Sequence, residues 1–392
     1  MAASMTGAIA GVLVALPFAS AAVLAATASW RIGTWINAIS CGLQFAVACV
    51  LLWFGDTPAA YLALLTAFVA MTTSGRGRRD IAASLAARSL SRRGAQLYHV
   101  GFQVLLGGVQ AATLADDAFI TWLALVVAVA AAAVLTGAAR RPASAAAASR
   151  LVLHCAIGLT LALLGTLLLE PAPWPATVFL VVGYGALAGL VPLHGWLAAA
   201  ACEAVTPAPI VVALMANVPM LLFMRLSIVA DVPLALGLAS LLAGAVALFV
   251  ERDWRCRVAL AGASQLGMVA FAIGIGARPA AWLLLTLLSL ARTAVLQAQG
   301  EDPPSWLAFA LLPLYALYLL ATPAAAVGWW LLAPLAAGAL LAASALLARR
   351  PAGISADWIA TVPVWLQIGL ILLLAFAAPA RVVALFGAAA AR

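Results

Sequence analysis

The chain has 392 residues, of which 67% are apolar and 8% charged, with a mean hydropathy of +1.16 and a formal net charge of +8. Apolar runs recur from one end to the other, which is the composition of a polytopic membrane protein and leaves no room for a soluble nucleotide-binding or redox domain. The positive charge does not indicate nucleic acid as a partner, because basic loops beside membrane spans at anionic headgroups account for it.

Taken in chain order, spans are predicted near 5–26, 34–54, 58–74, 97–114, 119–138, 150–169, 176–197, 206–226, 232–250, 257–275, 279–298, 305–322, 325–347 and 360–378. Most are about 18–22 residues long, enough at 1.5 Å per residue for a hydrocarbon core of roughly 30 Å. Barrel strands would alternate polar and apolar residues, and these segments do not. The fold class is therefore all-α, with about fourteen transmembrane helices in a single transmembrane domain over 1–392. Within it, 1–74 holds the N-terminal spans, 97–226 a first bundle with a broken helix at 176–197, 232–347 a second bundle, and 360–392 a C-terminal span and tail. Residues 1–26 lack a basic start and are not followed by a soluble domain, so a first span is expected rather than a cleaved signal. The small run Ala19-Ser20-Ala21 after Phe18 is the feature that would suit cleavage. The longest polar stretch, 75–96, reads as a loop, and the alanine-rich 143–149 as low complexity without a repeat.

Arginine placement sets the topology, since positive residues concentrate in cytoplasmic loops. With the N-terminus outside, Arg31, the cluster from Arg76 to Arg93, Arg140, Arg141, Arg150, Arg252, Arg255, Arg257, Arg349 and Arg350 all fall inside. Outer loops carry Asp56, Asp116, Asp117, Glu170 and Asp231, with Arg278 and the C-terminal arginines as exceptions. Both termini are expected outside, in the bacterial inner membrane. Cys41, Cys49, Cys155, Cys202 and Cys256 have no CxxC spacing, and four of them lie within or at the edge of apolar spans, so neither a disulfide frame nor an iron–sulfur or zinc site is expected.

Residues 183–207, GYGALAGLVPLHGWLAAAACEAVTP, narrow the function furthest. Pro192 within an apolar span removes a backbone hydrogen bond, and the freed carbonyl needs a neighbour, a water or a cavity. His194 can hold or pass a proton near neutral pH, or simply hydrogen-bond at a helix kink. Glu203, before Thr206 and Pro207, suits a proton gate or a cap at the membrane edge. Arg292, with Gln297 and Gln299 behind it, suits a buried hydrophilic axis or a side chain that snorkels to the surface, and Arg225 has the same two readings. His99 beside Tyr98 and His154 beside Cys155 read as structural hydrogen-bonding groups near span ends. The chain has no lysine, and its twelve carboxylates map to loops or span ends. A proton relay needs titratable groups inside the bilayer, and arginine stays charged, so the chain read alone is a poor proton conductor.

These residues resemble the antiporter-like membrane subunits shared by respiratory complex I, cation/proton antiporters and membrane-bound hydrogenases, most of all the F subunit of hydrogenase-4 type complexes. The resemblance rests on GLVPLHGWL with Glu203, Thr206 and Pro207, on 259–276 with Gln265, on 64–73, 97–106 and 140–169, and on the tail 364–387. It covers most of the chain. Departures accompany it: Leu187 stands where the family has a lysine, Val126 where it has a glutamate, and Leu284 and Leu288 where it has histidines, while Arg292 replaces a second lysine.

The resemblance implies a membrane-arm subunit of an NADH-quinone oxidoreductase-like or hydrogenase-4-like complex, degenerate in its proton channel and acting as a scaffold. Its remaining candidates for a proton path or interface are His194, Glu203, Arg292 and Gln265, with the helix break at Pro192, Thr206 and Pro207. Residual proton or cation/proton translocation is one alternative, and a membrane partner in an inorganic-carbon uptake complex is another. The expected partners are other membrane subunits and the lipid bilayer. No flavin, haem, quinone or other cofactor site is evident, no metal site is expected, and any oxidoreductase activity would belong to the whole complex.

Overall fold

The computed structural model describes residues 2–27, 29–55, 57–139, 141–204, 208–226, 231–251, 253–297, 362 and 365–371. The predicted spans 305–322 and 325–347, most of 360–378, and Thr206 and Pro207 lie outside the described residues. Among those described there are thirteen helices before residue 298 and no strand, and seven helices are long and apolar enough to cross a membrane. The protein is an all-α, multi-pass integral membrane protein.

The helices are α1 (Ala2–Ala26), α2 (Trp30–Gly55), α3 (Pro58–Ala86), α4 (Arg92–Leu114), α5 (Ala118–Gly137), α6 (Pro142–Leu167), α7 (Pro173–Ala188), α8 (Gly195–Glu203), α9 (Ala208–Met215), α10 (Asn217–Arg225), α11 (Asp231–Val250), α12 (Trp254–Gly274) and α13 (Arg278–Gln297). Most predicted span ends agree with these within a few residues. Two expectations change. The polar stretch 75–96 is mostly helical, because α3 runs on through the arginines to Ala86 and α4 starts at Arg92. The predicted spans 176–197 and 206–226 are four short helices, α7 to α10, with breaks after Ala188 and Met215.

Helix starts explain where several polar residues sit. The first turn of a helix leaves N–H groups without intrahelical acceptors, and short oxygen-bearing side chains fill the gap. Thr57 accepts from the Ala60 N–H at 3.2 Å with Pro58 behind it, Ser91 from Gly94 at 2.9 Å, Asp117 from Ile120 at 2.8 Å and Asp253 from Arg255 at 2.8 Å. Two of the carboxylates outside the spans are thus caps.

The chain forms two compact units, residues 1–163 with 199–218, and residues 164–198 with 219–392. In the first, α4 packs against α1 and α5, while α2 packs against α1 and α3. Small residues permit close approach: a Cβ on Gly108 would lie 2.9 Å from the Ala124 carbonyl oxygen, and one on Gly107 would lie 2.8 Å from the Phe18 ring. Leu13, Ala48, Leu51, Ala60, Ala63 and Ala67 form an apolar core among α1, α2 and α3. Trp35, Trp53, Phe119 and Leu153 face outward, as expected of side chains in lipid.

In the second unit, α11 and α12 meet along a glycine seam. A Cβ on Gly237 would lie 2.5 Å from the Phe271 nitrogen, one on Gly267 2.7 Å from the Gly237 oxygen, and one on Gly274 2.6 Å from the Leu234 side chain. Between helices in lipid, where apolar burial gives little advantage over the tails, such backbone approach supplies the packing contacts. Gly267→Leu should therefore lower thermal stability in detergent by about 1–3 kcal/mol or prevent folding, as overpacking does. Gly11→Ala, inside α1 at a site where a Cβ meets nothing within 4 Å, should not lower the melting temperature.

Candidate functional site at the helix break

The break begins at Gly189. This residue caps α7 with φ 76°, a left-handed conformation that glycine adopts without a Cβ penalty. Its N–H donates to the Ala186 carbonyl at 3.1 Å, and the Leu190 N–H donates to the Gly185 carbonyl at 2.8 Å, so the last turn closes on itself. Pro192 lies three residues beyond this cap and is exposed. The expected broken helix near Pro192 is present: α7 ends at the glycine cap, and the proline occupies the irregular link from 190 to 194.

An irregular link within a membrane span must satisfy its own backbone. The Val191 N–H donates to Ser240 Oγ on α11 at 3.0 Å, the Leu197 N–H to the His194 carbonyl at 3.1 Å, and the Trp196 indole N–H to the Ala186 carbonyl at 2.7 Å. Trp196 is fully buried, and the Leu197 side chain would lie 3.0 Å from a Cβ on Gly189. His194 is half-buried, and its Nδ1 is buried with no hydrogen-bond partner among the described residues. These bonds fix both ends of the link, while one imidazole nitrogen within it has no partner among the described residues.

Several other expected residues fall in the same unit. Leu187 is fully buried on α7, and Leu284 and Leu288 are 4% and 2% exposed on α13. Arg292, the cation placed closest to a span interior, is 2% exposed and does not reach the surface of this chain. Its Cδ and Nη1 would lie 3.2 Å and 3.5 Å from a Cβ on Gly262, so the side chain crosses α12 where that helix has no side chain. Gln265, 5% exposed, stands three residues further along α12, close to the same helix face. Arg292 is therefore buried, and snorkelling to the edge is not how it is accommodated.

Glu203 and Val126 belong to the first unit. The Glu203 carbonyl accepts from Ser144 Oγ at 2.8 Å and from Arg141 Nη2 at 3.4 Å, which ties the end of α8 to the start of α6. Val126 is half-buried on α5. His154 Nδ1 bonds the Arg150 carbonyl at 2.7 Å, the structural role expected of it. Arg225 is exposed at the end of α10.

A search for charged residues inside spans overlooks one polar assembly. Thr34, Asn37, Ser40 and Gln44 on α2 meet His99 and Gln103 on α4, all of them at most 4% exposed. The signal for it is spacing: 34, 37, 40 and 44, and 96, 99 and 103, each follow the three- and four-residue steps of one helix face.

Comparison with known proteins agrees with this architecture. Residues 162–300 match the family model described as NADH:quinone oxidoreductase/Mrp antiporter, transmembrane region. The hydrogenase-4 component F homolog of Methylacidiphilum infernorum (isolate V4) is 28% identical over 342 residues, covering 74% of this chain and 72% of that protein. A chain of the Mrp complex from Dietzia sp. DQ12-45-1b superposes with a TM-score of 0.81 at 17% identity, covering 99% of this chain and 97% of that one. A chain of the membrane-bound sulfane sulfur reductase, an archaeal respiratory membrane complex, gives 0.79 at 16% identity, with 98% and 97% covered. A chain of respiratory complex I from Thermus thermophilus gives 0.74 at 19% identity, with 92% and 96% covered. At these identities the structural likeness establishes the fold.

The left-handed backbone at Gly189 can be tested by substitution. Gly189→Val should destabilise the protein by about 1–2 kcal/mol or more, through the left-handed backbone and the contact with Leu197. The chain has the antiporter-like subunit fold and is a distant relative of a hydrogenase-4 component F homolog, with the matching family region in residues 162–300.

Proposed function

We propose that this chain is a membrane subunit of a complex I-like, Mrp-like or hydrogenase-like assembly, and that it serves there as a scaffold without an independent proton channel. The observation that carries the second half is the burial of leucine at 187, 284 and 288, where a proton path of the family type requires titratable groups. Arg292 cannot replace them as a relay, because a guanidinium does not release its proton at physiological pH. The first half is supported by the relatives, which are named as parts of multi-subunit membrane complexes. The arginine distribution supports a bacterial cytoplasmic membrane with both termini outside. A C-terminal reporter active only in the cytoplasm would contradict that orientation by giving a signal.

One observation favours a second reading, residual ion translocation. The open Nδ1 of His194 lies in the link between α7 and α8, where a proton could bind. That route lacks a titratable neighbour within its own unit at 187, 284 or 288 to take the proton onward.

Affinity purification of the tagged chain from native membranes in mild detergent tests the assembly. The expected result is near-stoichiometric recovery with other multi-pass subunits, at a native mass several times that of the chain. Recovery as a lone, monodisperse chain would contradict it.

A further inference from the structure

Within the second unit, the end of α10 and the start of α11 lie beside the turn that joins α12 to α13, and a cavity of about 340 Å³ separates them. Phe223 and Leu226 line it from the end of α10, Pro233 from α11, Ile273 from the end of α12, and Ile275 and Arg278 from the turn into α13. Phe223, Pro233 and Ile273 are buried, whereas Leu226, Ile275 and Arg278 are half-buried and Gly276 is exposed, so the cavity opens to the outside of the chain. Its size is at the low end for small-molecule pockets, which leaves room for part of an acyl chain but not for a whole lipid.

Every side chain lining the cavity is apolar except that of Arg278. The guanidinium has no hydrogen-bond or ion-pair partner among the described residues, and Asp231, exposed at the start of α11, does not pair with it. Backbone groups cannot take its place as an anion holder. The N–H groups of Ile275, Gly276, Ala277 and Arg278 already donate to the carbonyls of Phe271, Ile273, Ala272 and Gly276 at 2.9 or 3.0 Å, and Pro279 has no N–H to offer. Arg278 is also one of the arginines that the loop pattern of positive charge does not account for. One side-chain cation therefore stands at the mouth of an apolar cavity, with its donors uncommitted.

That pairing selects an amphiphile with net negative charge. A free phosphate ion would exchange water for a hydrocarbon wall with one donor group, and charge buried with so few partners is costly. A neutral apolar molecule would leave the guanidinium unused. A zwitterionic lipid brings its own cation beside its phosphate and gains less from a lone arginine.

We propose that this cavity binds an anionic phospholipid, with part of one acyl chain against Phe223, Ile273 and Ile275 and the phosphodiester oxygens accepting from the Arg278 guanidinium. Arginine suits that headgroup because its planar fork of donors matches the geometry of phosphate. The rest of the lipid stays in the bilayer. A lipid held this way links the end of α10 and the start of α11 to the turn between α12 and α13. The inference goes beyond the subunit role proposed above and holds whichever assembly the chain joins.

The test is photolabelling of the purified full chain in detergent with a trace of phosphatidylglycerol that carries a diazirine in one acyl chain. Peptide mass spectrometry should find labelling at Phe223, Leu226, Ile273 and Ile275 well above that at Leu153, which faces outward on α6. Excess unlabelled phosphatidylglycerol should remove the cavity labelling, while phosphatidylcholine and inorganic phosphate should not. Labelling no greater than at Leu153 would mean general detergent-phase contact and would overturn the proposal. Equal competition by phosphatidylcholine would show apolar contact without recognition of charge, and competition by inorganic phosphate would assign the arginine to a free anion; either result overturns it as well. Arg278→Gln should lower the cavity labelling about fivefold, the weight of one basic side chain at an anionic surface, and leave Leu153 unchanged. An unchanged yield in that variant would remove Arg278 from the site. Ile275→Trp, which fills the cavity and keeps the cation, should lower the yield too, and it replaces the glutamine variant should that one not fold.

Discussion

A backbone in hydrocarbon has no water to hydrogen-bond, and the rest of this structure depends on that constraint. It accounts for the helical spans and for caps such as Asp117 and Asp253 at their starts. It also decides the form of the break between α7 and α8. Gly189 closes the end of α7, Trp196 reaches back to the Ala186 carbonyl, and Ser240 receives the Val191 N–H from another helix.

The same constraint separates the two polar features of the chain. At the break, the N–H groups of Gly189, Leu190, Val191 and Leu197 are hydrogen-bonded, and His194 Nδ1 has no partner among the described residues. Among α1, α2 and α4, side chains satisfy one another in a chain of donors that runs out at His99 and Gln44. The first lies in the region that matches the antiporter family and has apolar residues where titratable ones are expected. The second lies outside that match.

Much of the fold was legible because hydrophobic length is a strong local signal: predicted and observed ends of α1, α2, α5, α11, α12 and α13 differ by a few residues. The stretch 75–96 misled because arginines suggest a loop, although a helix can extend past the membrane edge while its charged side chains find water. The break was legible, but the glycine cap at which it begins was not. Proline is the conspicuous residue in LAGLVPLHG, whereas the φ of 76° at Gly189 is a property of the folded backbone. Arg292 was open to two readings because burial depends on Gly262, thirty residues away in sequence. The cluster around His99 was hidden for the same reason, its partners lying 59 to 66 residues apart.

A scaffold with buried leucine at the relay positions should not carry current by itself. The most direct measurement is proton flux into liposomes that contain only the purified chain, under an imposed pH gradient and membrane potential, beside a His194→Ala, Glu203→Ala variant. Flux equal to that of empty liposomes is the result this account requires. Flux above that level, abolished by the two substitutions, would show a working channel and contradict it.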